Sequence, residues 1–500
     1  MNLNYFPNEV LCRIFDYLSW KDRQRVSLVC CRWNDIINSE HYIRHQKLVL
    51  YNYSKARFFS GVRVELLNRQ KHIELNSNAM LDTEEVLQTI GESFGGGEAM
   101  VNSLSFVLRS EHRVAFGLVL ENLPNLVHLK ELNISVNGAL RKGVRIDSAR
   151  LEKLNISFYQ NSRCTLHTPN LHTLHLTVRY RSEMDLLRTI SAQLVELQVS
   201  FISKDHVAKL FDCDCRSLKR LSILLRNDKY IPYSVSPVLL RPLDKDGIFA
   251  RTIVGLQSLQ VEDVCHIFDI DFLQMFVYAK SLKTLVINYI RLTVEVNQFI
   301  NGCQQLKNLN LEGCPKADEP KELHLPALET LVVPYKHLSL FESELKLLTT
   351  LYYSNANKNQ SQFVKQIAKA FPSLNFLCLQ NFDNELDSNA FSNLTVLTKL
   401  RTLVIKDMSV ASKIFTNCPN VPHLERLVTD TIVSEVSMLD AIPARFPALQ
   451  SYVIKNCFLY LIPSESGKHH MTFDSLRRLM PHCCVSTKDS TIFTEKDGHM

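Results

Sequence analysis

Five hundred residues carry 57 basic and 51 acidic side chains, a net charge of +6 that is too slight to demand a polyanion, so nucleic acid is not an expected partner. No stretch approaches 18 uninterrupted apolar residues, and Met1-Asn2-Leu3-Asn4 runs straight into an apolar-periodic segment without a charged-then-apolar secretory signal, which argues against a membrane and for the cytoplasm or nucleus. Fourteen cysteines in that setting read as reduced thiols used as small hydrophobes, and sparse Gly and Pro with no low-complexity linker argue for one long repetitive body.

In chain order, residues up to Trp33 read as two or three short helices. Pro7 suits a first helical turn, where its missing N–H would be unpaired anyway, and Glu9 sits well near the positive end of the dipole. Val10 and Ile14 form one apolar row and Leu11, Phe15 and Leu18 another, together wider than the stripe a helix needs to cover one core. Ser19 with Asp22 resembles a capping box opening a second helix, which carries Val26, Val29 and Trp33 on one face. A unit of roughly 40 residues cannot bury that much apolar surface by itself. A partner is expected to cover the remainder.

The run Phe6-Pro7-x-Glu9-x-Leu11-x-x-Ile14-Phe15-x-Tyr17-Leu18, then Asp22, then Val29-Cys30-x-x-Trp33, resembles the F-box pattern nearly position by position. F-box motifs dock on the Skp adaptor of SCF-type ubiquitin ligases. The resemblance implies that Phe6, Pro7, Val10, Ile14, Leu18, Val29 and Trp33 make that contact. Two positions depart from it: Phe6 stands where Leu is usual, and Arg23 stands where the family generally has an apolar residue, which would weaken adaptor affinity.

Beyond this segment one pattern returns, Leu-x-x-Leu-x-apolar. It starts weakly at Val101/Leu104/Phe106 and runs from Leu129/Leu132/Ile134 and Leu151/Leu154/Ile156 through Leu256/Leu259/Val261 to Leu400/Leu403/Ile405, Leu424/Leu427 and Leu449/Tyr452/Ile454. Successive starts mostly lie 20 to 28 residues apart, the leucine-rich-repeat period, in which each unit has one short parallel strand and a helical or irregular return. A lone unit cannot bury its leucines; a stack makes one continuous core. Cys314 and Cys457, eight residues after Leu306 and Leu449, look like the cysteine-containing repeat common in F-box proteins, and apolar Val264, Ile290, Phe382 and Met408 at the same offset mark them as core.

The expected fold is therefore α/β. An all-helical F-box (residues 1–45) is followed by a connector and N-terminal cap (46–100), a leucine-rich-repeat solenoid of about 14–15 repeats with a curved parallel sheet and a helical convex side (101–480), and a C-terminal tail (481–500). The step from Leu218 to Leu256 is 38 residues, so an insertion near 227–255, holding Pro232, Pro237 and Pro242, is expected to leave the solenoid either as a partner contact or as a plain loop.

Strand alternation sends the third, fifth and seventh positions of each repeat onto the concave face. Their middle column begins with Asn133, Asn155, His175, Gln198 and Ser222 and ends with Val332, Tyr352, Cys378, Val404, Val428 and Val453, flanked by Phe376, Lys406 and Arg426. A contiguous apolar band of this kind commonly marks a contact site. These nine later residues are the candidate substrate-binding set, against the alternatives of mere strand propensity for valine or a cover provided by the tail.

No nucleophile elbow, His-Glu-x-x-His, dinucleotide or Walker loop is present, and Gly95, Gly96 and Gly97 lack the lysine and spacing of a phosphate loop. His469, His470, His482, Cys483 and Cys484 match no familiar zinc spacing, Cys213-Asp-Cys215 is not a Cys-x-x-Cys, and His175 has no evident nucleophile beside it. Neither cofactor, metal nor catalytic residue is expected. The resemblance implies a non-catalytic substrate receptor of an SCF-type ligase, joined through the Skp adaptor to a cullin and a RING protein and holding an unknown protein on its concave face. The alternatives are a Skp-binding structural or regulatory adaptor outside any ligase, and a repeat scaffold capped by its own N-terminal helices.

Overall fold

A computed structural model describes residues 5–39, 42, 47–51, 71–76, 83–95, 99–109, 113–137, 143–159, 163–201, 204–225, 247–263, 271–315, 322–341, 345–354, 363–380, 391–406, 415, 417–430, 433–435, 439, 441–455, 458–460, 473–488 and 491–493. The chain divides into two compact units, one built mainly from residues up to Ile253 and the other from Val254 onward.

The first unit opens with three helices, Asn8–Asp16, Trp20–Ser27 and Cys31–Ile37. Pro7 stands just before the first, in extended conformation, and its carbonyl accepts from Val10 and Leu11 N–H at 3.1 Å each. Ser19 caps the second as the sequence indicates: its hydroxyl oxygen accepts from Asp22 N–H at 3.2 Å and its O–H donates to the Asp22 carboxylate at 2.6 Å. The expected continuous face through Val26, Val29 and Trp33 is interrupted. The second helix stops at Ser27, Cys30 adopts φ −160° and ψ 161°, and Trp33 rides on a third helix.

That break lets Trp33 turn inward. Its ring meets Phe15 edge-on with centroids 5.4 Å apart, a favourable aromatic arrangement. Leu11, Phe15, Trp33, Ile36, Ile37 and Tyr42 form a small core, with Phe6, Cys12, Leu18, Val26 and Cys30 packed around it. The Tyr42 hydroxyl donates to the Cys12 carbonyl at 2.6 Å. Arg32 donates from Nη2 to the Phe6 carbonyl and the Asn8 side-chain oxygen, each at 2.7 Å, tying the chain's entry to the third helix.

A ladder of parallel strands follows in the first unit: Lys47–Tyr51, His72–Asn76, Ser103–Arg109, Glu131–Asn137, Lys153–Phe158, Thr173–Val178, Glu196–Phe201 and Arg220–Leu225, each paired with the next. The second unit repeats the scheme with Ser258–Asp263, Thr284–Asn288, Asn308–Asn310, Thr330–Pro334, Thr350–Ser354, Phe376–Gln380, Thr402–Lys406, Arg426–Asp430, Ser451–Lys455 and Cys484–Lys488. Equivalent leucines face one another in register, for example Leu331 with Leu351 and Leu351 with Leu377. The leading leucine of each repeat, from Leu129 to Leu449, is buried. Register is pinned just before most strands, where one carbonyl accepts two N–H groups of the next repeat. Lys307 O, for instance, accepts from Glu329 and Thr330 at 2.8 and 2.9 Å.

The ladder extends past the 101–480 limits at both ends. Residues 46–100, read as a connector and N-terminal cap, contribute the strands Lys47–Tyr51 and His72–Asn76, and the tail contributes Cys484–Lys488. Pairing needs an in-register backbone and alternating burial, as at Ile73 and Leu75, and does not need leucine at every core position. The returns also vary. Helices such as Arg113–Glu121, Arg181–Ile190 and Val294–Gly302 occupy the long ones, whereas the shorter repeats that begin at Leu129 and Leu151 return through Val144–Asp147 and Cys164–His167, which pair with each other. Residues 226–246 of the insertion lie outside the described residues. The rest of it, the helix Ile248–Thr252 and the turn Ile253–Gly255, buries Phe249, Ala250 and Ile253 as an ordinary return does.

Candidate functional site

The N-terminal helices present two faces of different use. Leu11 and Phe15 fill the core, while Val10 and Ile14, on the neighbouring row, keep 38% and 37% of their surface. Pro7 and Val29 are also exposed. Phe6 and Leu18 are half-buried against the core. Trp33, at 9% exposure, is a member of the core, because the interruption of the helix at Cys30 turns it onto Phe15. Three outward residues were not among the expected contacts, Tyr5, Tyr17 and Leu28, of which Tyr17 is 92% exposed. Tyr17 follows Val10 by seven and Ile14 by three, so its place on their row was readable from helical spacing.

Arg23 does not stand as a loose charge. Its Nε donates to the Phe15 carbonyl at 2.8 Å, its Nη2 to the Asp16 carbonyl at 3.0 Å, and its guanidinium carbon lies 4.9 Å from the centre of the Tyr42 ring. It therefore supplies donors to the open carbonyls at the end of the first helix, where a cation is favoured by the dipole.

The open face of the first unit is polar. Register sets Asn133, Asn155, His175 and Gln198 side by side. His175 is half-buried, and burial, helped by the nearby Lys153 charge, holds its pKa below the ordinary histidine value, so it presents a neutral ring at neutral pH. Beside this column Lys153 pairs with Glu131 at 2.9 Å and Arg220 with Glu196 at 2.6 Å.

In the second unit the equivalent column runs Val332, Tyr352, Cys378, Val404, Val428, Val453 by continuous register. Tyr352 and Phe376 stand with ring centroids 5.3 Å apart, tilted by 45°. Val332, Tyr352, Phe376, Val404 and Val453 are half-buried, and Lys406 and Arg426 are exposed. Cys378 and Val428 correct the expectation, since both are buried. At the far end of the strands Gln380 Nε2 donates to Glu312 Oε1 at 3.2 Å, reaching past the strands that end in Pro334 and Ser354, both buried.

Most thiols of the repeats are buried, whereas Cys31 and Cys484 are exposed. Burial pushes those of Cys213, Cys303, Cys314 and Cys418 up to about 12, a state opposite to that of a reactive thiolate. Cys314 donates from Sγ to the Ile287 carbonyl at 3.1 Å. Cys457, Val264, Phe382, Met408, His469 and His470 lie outside the described residues. Among the described residues no group of three His, Cys, Asp or Glu side chains is placed to hold a metal ion, and no helix is long and apolar enough to cross a membrane.

A model of the F-box-like family matches residues 3–47, the segment that holds these three helices. No curated protein matches the chain significantly. Among solved structures the chain is similar to that of a TLR13–ssRNA13 complex (15% identity, TM-score 0.45, covering 89% of this chain and 55% of that one). It is also similar to CroV588, described as a novel circular LRR protein (11% identity, TM-score 0.39, covering 90% of this chain and 61% of that one), and to a chain of the Rad7 and Elc1 complex in yeast (11% identity, TM-score 0.32, covering 97% and 98%). The chain thus spans about half the length of the first of these relatives. An F-box-like segment followed by a leucine-rich parallel ladder is the architecture.

Proposed function

We propose that this protein is the substrate-recognition subunit of an SCF-type (Skp–cullin–F-box) ubiquitin-protein ligase. The observation that carries the reading is the pairing of a filled core with an uncovered apolar row. Leu11, Phe15 and Trp33 already satisfy the three-helix module, yet Val10, Ile14, Tyr17, Leu28 and Val29 remain exposed beside them. Apolar surface held outward on a module this small is expected to be buried by a partner, and for an F-box-like segment that partner is a Skp-type adaptor, which in turn joins a cullin and a RING protein.

Residues 1–45 are the anchor in this reading, and the ladder is the selector. Substrate binds the open face of the second unit around Val332, Tyr352, Phe376, Val404 and Val453, with Lys406 and Arg426 at its edges and Cys378 and Val428 beneath. The receptor supplies no chemistry. It holds a target lysine near the charged conjugating enzyme and raises its effective concentration there. The work is done in the cytoplasm or nucleus.

Affinity capture of the full chain from cells tests this. Recovery of both a Skp-type adaptor and a cullin is expected, and both should vanish with Ile14→Asp. Recovery of the adaptor without cullin would place the protein outside any ligase, and recovery of neither would end the proposal.

A further inference from the structure

On the open face of the second unit, large and short side chains are set out in a definite pattern across four neighbouring strands. Register puts Thr350 beside Phe376 and Tyr352 beside Cys378, so two rings stand on one diagonal of this cell and two short side chains on the other. The rings are half-buried, 5.3 Å apart and tilted by 45°, and Cys378 beside them is only 2% exposed. They form a ridge. On one side of it lie Thr330, Val332 and Thr350, and on the other Cys378, Thr402 and Val404, all short. The centres of these two hollows are two strand spacings apart, roughly 9.6 Å. Neither hollow contains a charged side chain, and no described residue bonds to the hydroxyls of Thr330, Thr350, Thr402 or Tyr352.

We propose that this ridge receives a proline-rich segment in the polyproline II conformation, with prolines at positions i and i+3 seated one on each side of the rings. The inference rests on the receptor reading above and names the class of target that reading leaves open. A polyproline II helix has three residues per turn and rises about 3.1 Å per residue, so equivalent residues recur about every 9.3 Å. That matches the hollows. A β-strand returns to one face about every 6.8 Å. An α-helix with residues i and i+7 in the hollows, about 10.5 Å apart, would drive i+3 and i+4 onto the ridge. Charge complementarity points the same way, since every group of the site is neutral. The backbone of a polyproline II helix has no internal hydrogen bonds, so its carbonyls are free to accept from the four hydroxyls. Its conformation is preformed, which suits it to docking on aromatic side chains at low entropic cost.

Selection of random twelve-residue peptides displayed on phage, carried out on the purified full chain, tests the proposal. The expected consensus is Pro-x-x-Pro with no enrichment of acidic or basic residues. A fluorescein-labelled consensus peptide should bind at least about tenfold more weakly to Tyr352→Ala and to Phe376→Ala. One residue inserted between the prolines should cost as much. Ring replacement also removes packing, so Thr330→Arg and Thr402→Arg fill the hollows one at a time and should weaken binding as strongly at unchanged melting temperature. Added salt should leave the affinity unchanged. A consensus without the proline spacing, no consensus at all, affinity untouched by these substitutions, or a steep fall with salt would overturn it. Adaptor capture by the same preparation is read separately: its loss with peptide binding intact refutes the ligase reading and leaves the proline site standing.

Discussion

Arg23 and Phe15 are joined by a 2.8 Å hydrogen bond from the arginine Nε to the phenylalanine carbonyl, while the Phe15 ring packs edge-on against Trp33. One residue thus ties the end of the first helix to the second helix through its backbone and to the third through its side chain. The arginine that departs from the F-box pattern is structural in this chain.

Replacing that arginine with the apolar residue more usual in the family is expected to weaken the module. In Arg23→Leu the Phe15 and Asp16 carbonyls lose the arginine donors, although Phe15 keeps the Leu18 N–H at 3.0 Å, at a cost of about 1–2 kcal/mol. Arg23→Lys recovers only part of this, because a single ammonium lacks the guanidinium fork. Urea melts of the three variants decide the point, and a Leu variant as stable as the parent would contradict it.

The two rows of the first helix should separate stability from docking. Val10→Asp, Ile14→Asp and Tyr17→Ala are expected to leave the melting transition nearly unchanged and to abolish or weaken adaptor co-purification. Phe15→Ala is expected to cost roughly 3–5 kcal/mol and to unfold the module. Adaptor capture that survives Ile14→Asp would remove the outward row from the interface.

Glu183 is buried at the start of the helix Arg181–Ile190, where its carboxylate accepts from Tyr180 N–H at 2.8 Å. Burial, only partly offset by that bond and by Arg179, pushes its pKa up to about 7. The folded state therefore holds a proton that the unfolded chain releases near the ordinary carboxylate value, and stability falls as pH rises from that value to about 7, then levels off. Glu183→Gln keeps the acceptor and removes the charge, so it should stabilise the protein at pH 8 by an amount on the order of 2 kcal/mol and flatten this part of the pH profile. Thermal melts at pH 5 and pH 8 provide the comparison; a Gln variant showing the parent's profile would discount the residue.

On the open face of the second unit, exposure predicts which substitutions affect binding. Tyr352→Ala and Phe376→Ala break a half-buried ring pair and are expected to reduce substrate capture with less loss of stability than Cys378→Asp, which, at a position only 2% exposed, should destabilise the ladder. Capture unaffected by both ring substitutions would move the site elsewhere.

The sequence by itself determined the repeat. Leucines at Leu328/Leu331, Leu348/Leu351 and Leu374/Leu377 mark strands that the structure places at Thr330–Pro334, Thr350–Ser354 and Phe376–Gln380, because strand alternation is a local property that each segment carries alone. The outward row of Val10 and Ile14 was legible for the same reason. Tertiary structure decided what depends on neighbours distant in the chain. Trp33 turned inward because Phe15 offered it a face, and Cys378 was buried. His72–Asn76 and Cys484–Lys488 joined the ladder through backbone pairing that no Leu-x-x-Leu spacing announced. Periodicity fixes which residues share a face; only packing fixes how much of that face remains open to a partner.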